Sequence, residues 1–133
     1  MALAKDRNTK MRDGVMFRFP VAADAVIFAG AMAALEGGYL VPASDTADLT
    51  VVGRAEEHVD NAGGADGAQD CTIRRGVFGW KPSAANAPTA SNIGDPAYVE
   101  DDETVSAVAG ANSIVAGTIR DVREGLVWVE TGK

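Results

Sequence analysis

Gly38-Tyr39-Leu40-Val41, Ser44-Asp45-Thr46 and Val52-Gly53-Arg54-Ala55-Glu56 form a phrase that the chain writes twice. The second copy runs Pro96-Ala97-Tyr98-Val99, Asp102-Glu103-Thr104 and Ala116-Gly117-Thr118-Ile119-Arg120-Asp121. Each copy holds a short apolar run, an acidic turn and a second run with one internal glycine. A further β-rich stretch follows each, at residues 71–80 and 126–130. Short runs of this composition, bounded by polar turns, read as strands. Two such meander units in one chain predict a closed or nearly closed β-domain. Neither unit carries a catalytic group.

Outward from these units, residues 1–14 are polar and basic without periodicity and read as an extended arm. Val15, Phe17 and Phe19 then alternate with Met16 and Arg18, the pattern of a half-buried strand, and Pro20 stops it. Residues 25–28 read as a strand, residues 31–35 as a strand or a helical turn, and residues 36–38 as a turn. Strands follow at 39–42 and 49–55. Residues 60–70 (DNAGGADGAQD) form a loop. A strand at 72–80 carries Gly76 and Gly79, which mark bulges or close backbone approach. Residues 81–94 are a surface loop. The second unit has strands at 98–99, 104–108, 113–119 and 126–130, with Arg123-Glu124-Gly125 as a hairpin turn. The expected fold class is therefore all-β: a small β-barrel or β-sandwich-like domain of two meander units with an extended N-terminal arm. Residues 1–20 are the arm and first strand, and residues 21–133 a single β-rich domain.

The 133 residues allow one domain with a real core, although 24 are alanine and only eight are aromatic. Net charge is -7 and unevenly placed. Residues 1–20 hold five basic and two acidic side chains, +3; the remainder holds 7 basic and 17 acidic, -10. A basic arm on an acidic body points to docking on an acidic partner. It argues against direct nucleic-acid binding, which needs clustered Lys and Arg. Residues 21–35 are apolar apart from Asp24 and superficially resemble a signal peptide. They are too short to span a bilayer, so no membrane partner is expected. Cys71 is the only cysteine, which leaves no intramolecular disulfide and no cysteine zinc site.

His58, the sole histidine, has no second histidine or thiol beside it in sequence and reads as a solvated loop residue. Asp60, Asp66 and Asp70 in a glycine-rich loop invite calcium, but the EF-hand spacing is absent. The run Glu100-Asp101-Asp102-Glu103 falls at a turn, where like charges need only water. There is no phosphate-binding glycine loop and no G-x-S-x-G elbow. The residues therefore name no catalytic group, metal site or cofactor, and the chain reads as a non-enzyme. Its aromatic residues are more informative. Phe17 and Phe19 lie beside the basic arm, and Phe78 and Trp80 share strand parity ahead of a long loop. Core packing and an anchor at an interface with another copy or a partner are the two readings of that second pair.

Several stretches in order resemble tailed-bacteriophage capsid decoration (cement) proteins. They are Tyr39-x-Val41-Pro42-Ala43-Ser44-Asp45-Thr46-Ala47, Val52-Gly53-Arg54-Ala55-Glu56-Glu57 and Val59-Asp60-Asn61-x-Gly63-Gly64-Ala65-Asp66-Gly67-Ala68. Arg74-Arg75-Gly76-Val77-Phe78, Ile93-Gly94, Ala97-Tyr98-Val99, Asp101-Asp102-x-Thr104-Val105, Ala116-Gly117 and Val127-Trp128-Val129 continue the series. The resemblance spans about residues 20–131 and implies a β-rich protein on the outer surface of the mature phage head, made in the host cytoplasm. It implies the major capsid protein as partner, self-association as a homotrimer at local threefold axes, and reinforcement of the shell. Charge and exposure then make Arg7, Lys10, Arg12 and Arg18 the expected capsid-binding cations of the arm, with Phe17 and Phe19 as anchors. Residues 15–19 are expected to add to a capsid sheet as an edge strand, or the arm to lie across a capsid groove. Other readings are a tail or head-completion protein, or a carbohydrate- or cell-binding module displayed on the particle.

Overall fold

The computed structural model describes residues 2–12 and 14–132. Among the described residues twelve strands carry the fold: β1 Met16–Pro20, β2 Val26–Ile27, β3 Met32–Glu36, β4 Tyr39–Pro42, β5 Thr50–Ala55, β6 Val59–Asp60, β7 Asp70–Arg74, β8 Gly76–Pro82, β9 Pro96–Val99, β10 Thr104–Ser106, β11 Val115–Arg123 and β12 Leu126–Thr131. One 3-10 turn, Ala90–Asn92, interrupts the loop before β9. The protein is all-β, as its sequence predicts. No helix among the described residues is long and apolar enough to cross a membrane.

Strands β8 to β12 close a barrel in the order β10-β8-β12-β11-β9, and strands of the first half form a sheet in the order β1-β7-β5-β3-β4. The two halves share one strand order, the second as a closed barrel and the first as a sheet that a single bridge curls into a partial one, the first barrel. Reading each order from the strand that comes earliest in the chain, and round the closed barrel from β9 to β10, makes β1 equivalent to β8, β7 to β12, β5 to β11, β3 to β9 and β4 to β10. All the hydrogen-bonded neighbours within each half are antiparallel, except β10 with β8, which are parallel. The first half repeats that parallel closure as a single bridge, Val21 to Leu40. Even the closing hydrogen bond recurs: Ala22 N–H donates to the Leu40 carbonyl at 2.9 Å, and Ser83 N–H to the Val105 carbonyl at 2.8 Å.

The duplication extends to single residues. Gly30 N–H donates to the Ala55 carbonyl and Gly94 N–H to the Ile119 carbonyl, and Ala33 faces Gly53 as Ala97 faces Gly117. Each of these pairs is 64 positions apart. The β3–β5 register slips beside Val52-Gly53 and the β9–β11 register beside Ala116-Gly117, so each copy bulges before its glycine. A side chain on Gly53 would overlap the Arg74 carbonyl, and one on Gly117 the Glu130 carbonyl. The cross-strand partners of β7 and β12 then make Phe17 equivalent to Phe78 and Phe19 to Trp80.

The structure adjusts three expectations. Strand order in each half is not sequential, because β4 and β10 lie outside β3 and β9 instead of beside β5 and β11. The sequence phrase therefore matches unlike strands, β4 in the first copy and β9 in the second; the counterpart of β9 is Met32–Glu36, the segment whose short apolar run left strand and helical turn open. The stretch 72–80 is two strands, and Arg75 carries the chain from one barrel to the next. The β3–β4 turn uses Gly37 (φ 58°) and Gly38 (φ 91°), and the β11–β12 turn Glu124 (φ 59°) and Gly125 (φ 74°). Both are two-residue turns with positive φ throughout, the hairpin geometry that matches strand twist.

Each barrel has its own core. Val21, Ala33, Leu40, Ala55, Cys71 and Ile73 are buried in the first, with Ile27 and Val59 from the β2–β6 ribbon added to them. Trp80, Ala97, Val105, Ile119, Val127 and Val129 fill the second. The opposite face of the first sheet, through Met32, Ala34 and Val51, joins that second core and fuses the halves. Asp45 tightens the junction: its carboxylate accepts the N–H groups of Ala111 (2.9 Å) and Asn112 (3.0 Å). Met32 N–H donates to the Asp102 carbonyl at 2.8 Å.

Candidate functional site

Residues 2–12 run outside every strand and are exposed, so the arm expected from charge is present as an arm. Arg7 and Lys10 make no ion pair with any described residue, whereas Arg12 lies 5.9 Å from the centroid of the Phe17 ring. The strand half of the expected capsid-binding set is placed differently. Arg18 is drawn onto its own protein, donating to Thr72 Oγ1 at 3.0 Å and approaching Asp70 (3.6 Å) and Glu57 (3.8 Å). Such exposed pairs stabilise by under about 1 kcal/mol each, but they occupy the guanidinium. Residues 16–20 pair with β7 along their whole length. Addition to a partner sheet would have to use their other edge, where Pro20 offers no N–H.

Phe17 and Phe19 stack at 6.1 Å with planes 20° apart, and with Val52 and Arg75 they line a groove of about 200 Å³ at the open end of the first barrel. Their counterparts are enclosed. Trp80 is 4 % exposed and its indole N–H donates to Thr131 Oγ1 at 2.9 Å. Phe78 meets Trp80 edge-on at 6.2 Å and is covered by the Arg54 guanidinium, 4.2 Å from its ring centroid. Glu56 holds that guanidinium at 2.6 Å. Of the two readings of this pair, Trp80 fits core packing, and Phe78 lies at the junction of the barrels. Shared strand parity places both on one face, as predicted.

The acidic run holds a turn together. Glu100 accepts from the buried Ser83 hydroxyl at 2.8 Å, Asp101 accepts the Glu103 N–H at 2.9 Å, and Glu103 pairs with Lys81 at 2.9 Å. Asp102 and Glu103 border a surface groove of about 290 Å³ whose other wall is Phe28, Ala29, Gly30 and Ala31. Burial, and next the charge of Asp101, raise the Asp102 carboxyl above the usual aspartate value. A folded-state pKa above that of the unfolded chain favours folding below the ordinary aspartate range, and this contribution is lost as pH rises through the raised value. Asp102→Asn should therefore melt above the wild type near pH 7, and the difference should close by about pH 3, where both side chains are neutral. Melting curves across that range check it; a gap independent of pH would mean the carboxyl is not perturbed.

Among the other candidates, Asp24 and Asp66 accept the N–H groups of Gly63 and Ala23, each at 2.8 Å, and Asp60 that of Ala62 at 2.9 Å. The loop is further pinned by buried Asn61, which donates to the Ala22 (2.8 Å) and Ala65 (3.0 Å) carbonyls. Asp60 and Asp66 thus have backbone partners and Asp70 approaches Arg18, and no group of three or more His, Cys, Asp or Glu among the described residues could hold a metal ion. His58 is exposed and meets the Phe28 ring edge-on at 5.0 Å. Cys71 is fully buried, and burial raises its thiol pKa.

Compared with known proteins, the chain matches no family model, no curated protein and no solved structure. Sequence reasoning missed Val52, Arg54 and Arg75, the residues that complete or cover the two aromatic pairs. The signal for Val52 and Arg54 was the bulge glycine at Gly53 between them; Arg75, between β7 and β8, had none.

Proposed function

We propose that this chain is a non-enzymatic capsid decoration protein of a tailed phage, binding the outer surface of the mature head across contacts between major capsid subunits. The observation that carries the reading is the arm: residues 2–12 lie outside the barrels, with Arg7 and Lys10 unpaired among the described residues. They precede a body of strongly acidic composition. The ordered resemblance from Tyr39 to Val129 supports the same role. Such an arm orders itself on a partner at an entropic cost, and self-association at a threefold axis makes later contacts intramolecular.

Arg7, Lys10 and Arg12 are the cations this reading assigns to the shell. The test is saturable binding of the full chain to purified mature shells that lack it, against a chain without residues 1–14. Deletion should weaken binding about 100-fold, from about 1 kcal/mol for each of three cations. Binding that survives deletion moves the interface onto the barrels. Absence of binding by both chains rejects the role on the shell.

A further inference from the structure

Within the chain one barrel already plugs the other. The face of β3 and β5 that carries Met32, Ala34 and Val51 packs into the second core, Arg54 covers Phe78, and Asp45 holds residues 111–112. The parts that receive this face are the early part of β8, the loops entering β10 and β11, and the end of β12. Together they form one end of the second barrel. The duplicated registers identify the same end of the first barrel as Phe17, Phe19, Val52 and Arg75. That end is an open groove.

The plug is duplicated as well. Pro96, Tyr98 and Val115 stand on β9 and β11 where Met32, Ala34 and Val51 stand on β3 and β5. Tyr98 and Val115 are cross-strand neighbours, only partly buried, and belong to neither core. Thr118 stands in place of Arg54, and the guanidinium that Arg54 provides over Phe78 is provided over Phe17 by Arg12.

We propose that the open end of the first barrel receives the Pro96–Tyr98–Val115 face of a second copy of this chain, continuing the contact that joins the two barrels internally. The contact is heterologous: each copy offers one end and one face, so association runs head to tail until it closes on itself. Arg75 at the groove and exposed Asp95 beside the face supply opposite charges for the approach. The inference deepens the self-association in the proposed role, and its test contains no capsid, so the two fail separately.

Sedimentation equilibrium of the full chain should show mass rising with concentration above that of one chain. Tyr98→Asp and Phe17→Asp should each remain at one-chain mass where the wild type associates. Mixed in equal amounts they should pair and stop at two chains, because only one intact end and one intact face remain between them. Arg75→Glu, at an exposed position, replaces Phe17→Asp if the latter loses its far-ultraviolet β signal. A wild-type chain that stays at one-chain mass overturns the proposal, leaving the chain's own arm as the occupant of the groove. Undiminished association of Tyr98→Asp overturns it too, since the face is then not used.

Discussion

Gly117→Ala is expected to destabilise the protein by about 3 kcal/mol or more, a large share of the roughly 5–15 kcal/mol that holds a domain folded. Its β-carbon would be placed into the Glu130 carbonyl, with the Glu130 carbonyl carbon at 2.8 Å and Thr131 Cα at 3.1 Å. All three belong to backbone that is locked into the β11–β12 ladder, so none yields as a flexible side chain would. Gly53→Ala meets the same obstacle at the Arg74 carbonyl and also Ile73 Cγ2 at 2.9 Å, and should rank beside it. Gly30→Ala is the control. It has φ +88° but nothing within 4 Å, so only the backbone cost of about 1 kcal/mol applies. The chain carries its own reporters for urea unfolding. Both tryptophans, Trp80 and Trp128, lie in the second barrel, and the only cysteine, Cys71, lies in the core of the first. Fluorescence and thiol labelling should shift together in either variant, because Met32, Ala34 and Val51 tie the two cores. A Gly117→Ala protein with the stability of Gly30→Ala would contradict the bulge geometry.

Those glycines also mark how far the fold was legible. Val52-Gly53 and Ala116-Gly117 were visible as matching phrases because a close backbone approach tolerates one residue type, and that constraint survives in sequence. The equivalence of β3 with β9 was not visible. Met32-Ala33-Ala34 and Pro96-Ala97-Tyr98 share one alanine and a register, and a register is a property of pairing rather than of side-chain identity. The equivalence of Phe17 with Phe78 was hidden for the same reason. It rests on antiparallel partners about 50 residues away, Arg74 facing Met16 and Glu130 facing Val77. The basic arm was legible from charge alone. The occupation of Arg18 was not, because Asp70 and Glu57 reach it only through the β1–β7 pairing.

The equivalence makes its own demand on energetics, since one aromatic position exists in two environments. Trp80→Ala should cost about 3–5 kcal/mol, the range for deleting a large enclosed aromatic side chain. It empties the space beside Val127 and Val129, strips Thr131 Oγ1 of its indole donor, and removes the edge-on partner of Phe78. Thr131 keeps its own bond to the Val129 carbonyl at 3.0 Å, so its hydroxyl remains satisfied as a donor and the cavity dominates the loss. Phe19→Ala removes the equivalent side chain from the first barrel, but Phe19 is only half-buried at the groove. Water already reaches part of that ring, so less transfer energy is forfeited and the site can relax toward solvent. About 1–2 kcal/mol is expected there. Chemical denaturation of the two variants measures the difference directly. A Phe19→Ala loss as large as that of Trp80→Ala would mean that the first barrel's end is covered in solution. Repeating the measurement across protein concentration would then separate a second copy as the cover, which dilution removes, from the chain's own arm, which it does not.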